Sequence, residues 1–86
     1  MKLIKKDGRL EEFNEDKIKI SIENASDDSE GMLTESDVDI IINDVMSILN
    51  NLRHDDATSS YEVKGVVISV LSKDRFKKIA EEYAKH

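Results

Sequence analysis

Cysteine is absent from the 86 residues. That excludes disulfides, thiol catalysis, cysteine-ligated zinc and iron–sulfur clusters within the chain. Long apolar runs are absent too: no stretch approaches the ~20 residues of a membrane helix. Met1-Lys2-Leu3-Ile4-Lys5-Lys6 lacks the apolar core of a secretory signal, so a cytoplasmic protein is expected, without membrane contact. Histidine is scarce. His54 and His86 have no clustered acids or cysteines at ligand spacing, so no metal site is expected, and Ser59-Ser60 has no histidine base for nucleophilic catalysis. Asp27-Asp28-Ser29-Glu30-Gly31 lacks the alternation and closing glutamate of a calcium loop and reads as a solvated loop. Positive charge is also short. The net charge of -6 disfavours a nucleic-acid partner.

What is present fits one small domain, expected to span residues 1–86. A chain of this length buries only roughly 60–65% of its unfolded surface, which leaves room for one core and one surface cleft rather than a catalytic apparatus. No catalytic residue is expected. Charge is unevenly placed. Residues 1–20 hold six basic and five acidic side chains, residues 21–72 two and eleven, and residues 73–86 five and three. A local anion site should therefore be built from the two ends of the chain.

The pattern predicts an α+β fold, a small N-terminal β-hairpin capping a four-helix bundle, with room for a third short strand. Residues 2–13 read as the hairpin, with Asp7-Gly8 as a two-residue turn. Leu10 and Phe13 do not share strict alternation. Asn14 can cap a first helix, with Glu15 and Asp16 in its first turn and Ile18, Ile22 and Ala25 on one face, running to about Ala25. Residues 27–31 follow as a polar loop.

The second helix, capped by Thr34 or Ser36, carries Val38, Ile41, Ile42, Val45, Met46, Leu49 and Leu52 at helical spacing. Ile40 and Ile48 lie off that stripe, which implies cover on two sides. Asn50 to Asp56 end it. Thr58, Ser59 or Ser60 caps a third helix with Val63, Val66, Val67, Val70 and Leu71 on its apolar face. Gly65 inside it is attributed to close helix packing, and Lys64 reads as remote from the hairpin. Ser72, with Lys73-Asp74, starts a fourth helix whose stripe is Phe76, Ile79, Ala80 and Tyr83.

Functional chemistry concentrates between Leu3 and Ile18. Two lysines end a strand, a turn follows, and a helix N-terminus offers unpaired N–H groups and partial positive charge. Lys5, Lys6 and Lys17 could surround phosphates, while Glu11 and Asn14 could bond a base or ribose. From the residues alone, a solvated charged hairpin capped onto a helix bundle is the simpler account of the same residues.

The segment Leu3-Ile4-Lys5-Lys6-Asp7-Gly8-Arg9-Leu10-Glu11-Glu12-Phe13-Asn14-Glu15-Asp16-Lys17-Ile18 resembles the opening of the ATP-cone family. That opening is an apolar residue, Lys-Arg-Asp-Gly, an acid, an apolar residue, Asn or Asp, and Lys-Ile. Lys6 replaces the usual arginine and loses its bidentate grip on phosphate. Ser21 to Ala25, Thr58 to Leu71 and Phe76 to Lys85 resemble the family's later helices. The resemblance implies a regulatory module, known from ribonucleotide reductases and a repressor of reductase genes, that binds ATP or dATP beneath a hairpin lid, with or without Mg2+. By position it implies Leu3 near the base, Lys5 and Lys17 at the phosphates, Glu11 and Asn14 at base or sugar, a residue within Thr34 to Asp39, and Lys85 from the last helix.

The expected function is allosteric adenine-nucleotide binding, in a free-standing domain or a piece of a ribonucleotide reductase. The expected partners are a reductase catalytic domain or a second copy of the chain. The alternative is a degenerate cone that has lost nucleotide and acts as a protein-interaction module.

Overall fold

Alternation decides the N-terminal strands. In the computed structural model, which describes residues 1–52 and 57–85, β1 spans Lys2–Ile4 and β2 spans Leu10–Glu12, paired antiparallel with Leu3 opposite Glu11. Met1, Leu3, Lys5, Glu11 and Phe13 are half-buried, while Lys2, Ile4, Leu10 and Glu12 are exposed. Phe13 thus continues the inner face begun by Glu11, and Leu10 belongs to the outer one.

The turn differs from the expected two-residue form. Gly8 N–H donates to the Lys5 carbonyl at 2.9 Å and Lys5 N–H to the Arg9 carbonyl at 2.8 Å. Three residues, Lys6 to Gly8, therefore connect the strands, and Gly8 takes the left-handed position with φ 88°. The third strand, β3, is Ala57–Ser59. It runs parallel to β1, with Leu3 opposite Thr58, giving the order β2-β1-β3.

Helix α1 spans Glu15–Asp28, three residues past the expected end at Ala25. Asn14 caps it by accepting the Asp16 N–H at 2.9 Å. It stops where Gly31 N–H reaches the Ser26 carbonyl (2.9 Å) and Glu30 N–H the Asp27 carbonyl (3.2 Å). These are the paired bonds of a Schellman stop, with Glu30 rather than glycine in the left-handed place at φ 59°. Asp27 and Asp28, expected in a loop, are the helix's last turn.

Helix α2 spans Glu35–Leu52. Thr34 and Asp37 cap it reciprocally, each backbone N–H donating to the other's side chain at 3.1 Å. Val38, Ile41, Val45 and Leu49 are buried, and Ile42, Met46 and Ile48 half-buried. Ile40 is 56% exposed, so the expected second covered side extends to Ile48 only.

Helix α3 spans Ser60–Lys73, capped by Ser59, whose Oγ accepts the Glu62 N–H at 3.1 Å. All five residues of the expected face, Val63, Val66, Val67, Val70 and Leu71, are buried. The helix runs through Ser72 and Lys73, which were expected to open the next one. It ends as α1 does. Phe76 N–H reaches the Leu71 carbonyl at 2.8 Å around Arg75 at φ 73°. Helix α4 is Lys77–Ala84, burying Ile79, Ala80 and Tyr83.

Residues from all four helices meet in the core, with Ile22, Ala25, Ile41, Val45, Leu49, Val67 and Leu71 wholly excluded from solvent. Each larger side chain there contributes on the order of 1.5–3 kcal/mol. Close packing does not explain Gly65, because a Cβ there would meet no atom within 4 Å. The tightly approached glycine is Gly31, where a Cβ would lie 2.9 Å from Ile79 Cγ1. The expected loop at 53–56, with His54, and the terminal His86 lie outside the described residues. The architecture is α+β, a three-stranded mixed sheet and four helices among the described residues.

Candidate functional site

Period-2 alternation puts Leu3, Lys5, Glu11 and Phe13 on the underside of the hairpin. Facing them are the first turns of α1 and α3 and the last turn of α4. Together they bound a cleft of about 290 Å³. Leu3, Phe13, Ile18, Val63 and Tyr83 supply its apolar surface, and Lys5, Glu11, Glu12, Asn14, Lys17, Ser21, Ser60 and Lys64 its polar groups. Five of the seven residues singled out from the sequence, Leu3, Lys5, Glu11, Asn14 and Lys17, line this one cleft.

The other two do not. Lys6 Nζ sits 5.7 Å from the centre of the Tyr61 ring, a cation–π contact that draws the hairpin tip toward α3. Lys85 lies beyond α4, 73% exposed at its side chain, and pairs with Glu82 at 3.8 Å. The segment Thr34 to Asp39 does not line the cleft either. Thr34 and Asp37 are engaged in capping α2.

The α1 N-terminus is not the bare anion site its position suggests. Asn14 Oδ1 already accepts an amide there, and Glu15 and Asp16 occupy the first turn. An open depression of about 590 Å³ over Glu11 to Lys17 shares this acidic lining. Positive potential in the cleft comes instead from Lys5, Lys17 and Lys64. Lys5 Nζ stands 4.0 Å from Glu11 Oε2 across the hairpin, both side chains about two-thirds buried. With its oxygen used in capping, Asn14 keeps its amide N–H groups for the cleft.

Two residues on α3 escaped notice in the sequence. Lys64, read as remote, lines the cleft one turn into the helix. Ser60 Oγ is buried in the cleft wall and has no hydrogen-bond partner among the described residues. An orphaned buried hydroxyl is uncommon and marks a place where a bound group can satisfy it. Below them, Ser21 Oγ donates to the Ile18 carbonyl at 2.7 Å, so the 3.0 Å link between Ser21 and Tyr83 has the tyrosine as donor. This bond ties α1 to α4 under the cleft. No three histidine, aspartate or glutamate side chains gather as a metal site among the described residues.

Residues 1–85 match the ATP cone domain, essentially the whole chain. The chain belongs to the ATP cone family. ATP cones are regulatory domains that bind nucleotide effectors, and are not catalytic. No curated protein matches the chain. In this cone, three lysines converge on a cleft within a chain of net charge -6. The lysines place positive charge in the cleft beside the carboxylates of Glu11 and Glu12. No helix among the described residues is long and apolar enough to cross a membrane.

Proposed function

We propose that this ATP cone binds ATP or dATP in the cleft beneath the hairpin and acts as an allosteric switch on a ribonucleotide reductase, as a cytoplasmic domain spanning residues 1–86. The observation that carries this reading is the convergence of Lys5, Lys17 and Lys64 on the cleft that also holds the orphaned Ser60 hydroxyl. The residues suit an adenine nucleotide. The cleft lies at the small end of ligand pockets, roughly 300–1,000 Å³, which suits a nucleoside against Leu3, Ile18 and Val63. Glu11 accepts and Asn14 donates toward base or sugar, and Ser60 can do both. Triphosphate charge, with or without Mg2+, falls to the lysines at the open mouth. Lys6 and Lys85, outside the cleft, add positive potential rather than contact. The subunit contacts regulated are those with a reductase catalytic domain or a second copy of the chain.

Calorimetric titration with ATP and dATP tests this. Each charge-assisted phosphate contact should contribute about 1.5–3 kcal/mol. Lys5→Ala and Lys17→Ala should each weaken binding about tenfold or more, while the melting temperature without ligand moves little. Lys73→Ala, at the far end of α3, should leave binding unchanged. At a hundredfold excess over the dissociation constant, ATP should stabilise the fold by about 2.7 kcal/mol, a rise of roughly 10–20 °C in melting temperature. Silence with both nucleotides at millimolar concentration would reject the reading in favour of a protein-interaction module.

A further inference from the structure

At the end of the bundle away from the cleft, the α1–α2 turn meets the α3–α4 turn around a groove of about 330 Å³. Its surface combines two features rarely left together in water. Its apolar lining is Met32, Phe76 and Ile79: Ile79 is buried, Phe76 half-buried, and Met32 stands out beside them 92% exposed, the highest value among the exposed large hydrophobic side chains. The rim is basic. Arg75, Lys77 and Lys78 are all exposed and have no ion pair among the described residues.

The cations are also placed against the local electrostatics of the fold. Helices α1, α2 and α3 each carry acids in the first turn, where the helix dipole favours them. Helix α4 carries none; Lys77 and Lys78 stand there instead, with no side chain capping the N-terminus. That arrangement sets two positive side chains against the positive end of the helix dipole. Departures from local stability rules concentrate where a surface has another use.

We propose that this groove docks an acidic peptide segment of another protein that carries an apolar anchor. The anchor side chain packs on Met32, Phe76 and Ile79. The flanking carboxylates meet Arg75, Lys77 and Lys78. Charge complementarity selects the partner, and the flexible thioether of Met32 adapts to the anchor's shape. A basic rim also suits nucleic acid, but the apolar lining has no phosphate to meet, and the net charge of -6 repels a polyanion. The groove shares no lining residue with the nucleotide cleft. The proposal therefore stands apart from the nucleotide reading and is tested without nucleotide.

The experiment is a titration of the full ¹⁵N-labelled chain, followed by amide shifts. The probe is the synthetic peptide Glu-Asp-Phe-Glu-Leu-Asp-Glu, with two controls, one with lysine for every acid and one with alanine for Phe and Leu. The acidic peptide should shift Met32 and Phe76 to Ile79, and its affinity should fall with added salt. Lys77→Glu/Lys78→Glu and Met32→Ser should each weaken it by about fivefold or more. The lysine variant places acids where the helix dipole favours them, so lost binding there cannot be put down to unfolding. Equal binding of either control peptide overturns the proposal. So does a shift of the same amides by duplex DNA and not by the peptide, or their movement with protein concentration alone, which would make a second copy the occupant.

Discussion

The two ends of the helical bundle are built on opposite logics. At the hairpin end, local rules are obeyed: strands alternate, Asn14 and Ser59 cap their helices, and acids open α1 and α3. The lysines there are spaced around a cleft and none is needed by the core. At the turn end, local rules are broken repeatedly. Glu30 and Arg75 hold left-handed backbone that glycine would take more cheaply, α4 opens on lysines, and Asp74 is pressed against Asp44. The difference teaches that the residues lining the cleft and the residues that strain the fold are separated by position. On the proposed nucleotide reading, substitutions at the cleft end should change affinity with little effect on folding, and substitutions at the turn end should change folding with little effect on the cleft.

The largest effect that should sharpen this comparison is at Gly31. Gly31→Ala would place a Cβ 2.9 Å from Ile79 Cγ1 and 3.0 Å from Ser29 Oγ. Overpacking of that kind typically destabilises by about 1–3 kcal/mol. Urea unfolding should show the loss, while nucleotide affinity of the folded fraction stays at the parent value. A change in affinity would mean the two ends are coupled. Gly65→Ala tests the cleft end in return. The position is exposed, helical and open, so alanine should stabilise by up to about 1 kcal/mol. If thermal melts show the gain but nucleotide binding weakens, the first turns of α3 depend on backbone freedom for closure, and the separation fails there.

The smallest effect concerns pH. Desolvation raises the Asp74 carboxyl above its ordinary 3.8. The negative charge of the neighbouring Asp44 adds to the rise, and Lys73 opposes it. A carboxyl raised in the folded state favours the fold below its unfolded value and loses that contribution as pH rises through the folded one. At neutral pH the ionised Asp74 therefore opposes folding. Asp74→Asn should raise the melting temperature at pH 7, and the gain over the parent should shrink toward pH 4 and below. A gain independent of pH would assign it to hydrogen bonding rather than to charge.

Much of this was legible in the residues because it is periodic. Val63, Val66, Val67, Val70 and Leu71 repeat at helical spacing, and every one is buried. Five cleft residues lie within fifteen positions of one another, so a local motif held them together. What escaped was set by distance or by exception. β3 is three residues long, too short to display alternation, and its partner is at the other end of the chain segment. The stops of α1 and α3 escaped because their left-handed residues are Glu30 and Arg75, where glycine is the usual sign. Gly31, one residue later, serves packing rather than the turn. Ser60 was hidden by its neighbours. In a run of Thr58, Ser59 and Ser60, helix capping accounts for a hydroxyl locally, and nothing in the spacing shows that one of the three is left over. Lys64 lies far from the hairpin in sequence, and only the pairing of β3 with β1 brings its helix beside Lys5.

That pairing also orders events in time. Lys2 lies opposite Ala57, and the cleft's two walls follow directly from the two strands. A contact across so long a separation must wait for the intervening chain to be made and compacted, and it forms slowly because the closing loop is long. During synthesis the hairpin and α1 emerge first, carrying Lys5, Glu11 and Lys17 into solvent with nothing opposite them. The site becomes whole only after α3 has docked and Tyr83 has left the ribosome. A half-finished chain thus presents one wall of the cleft without the other.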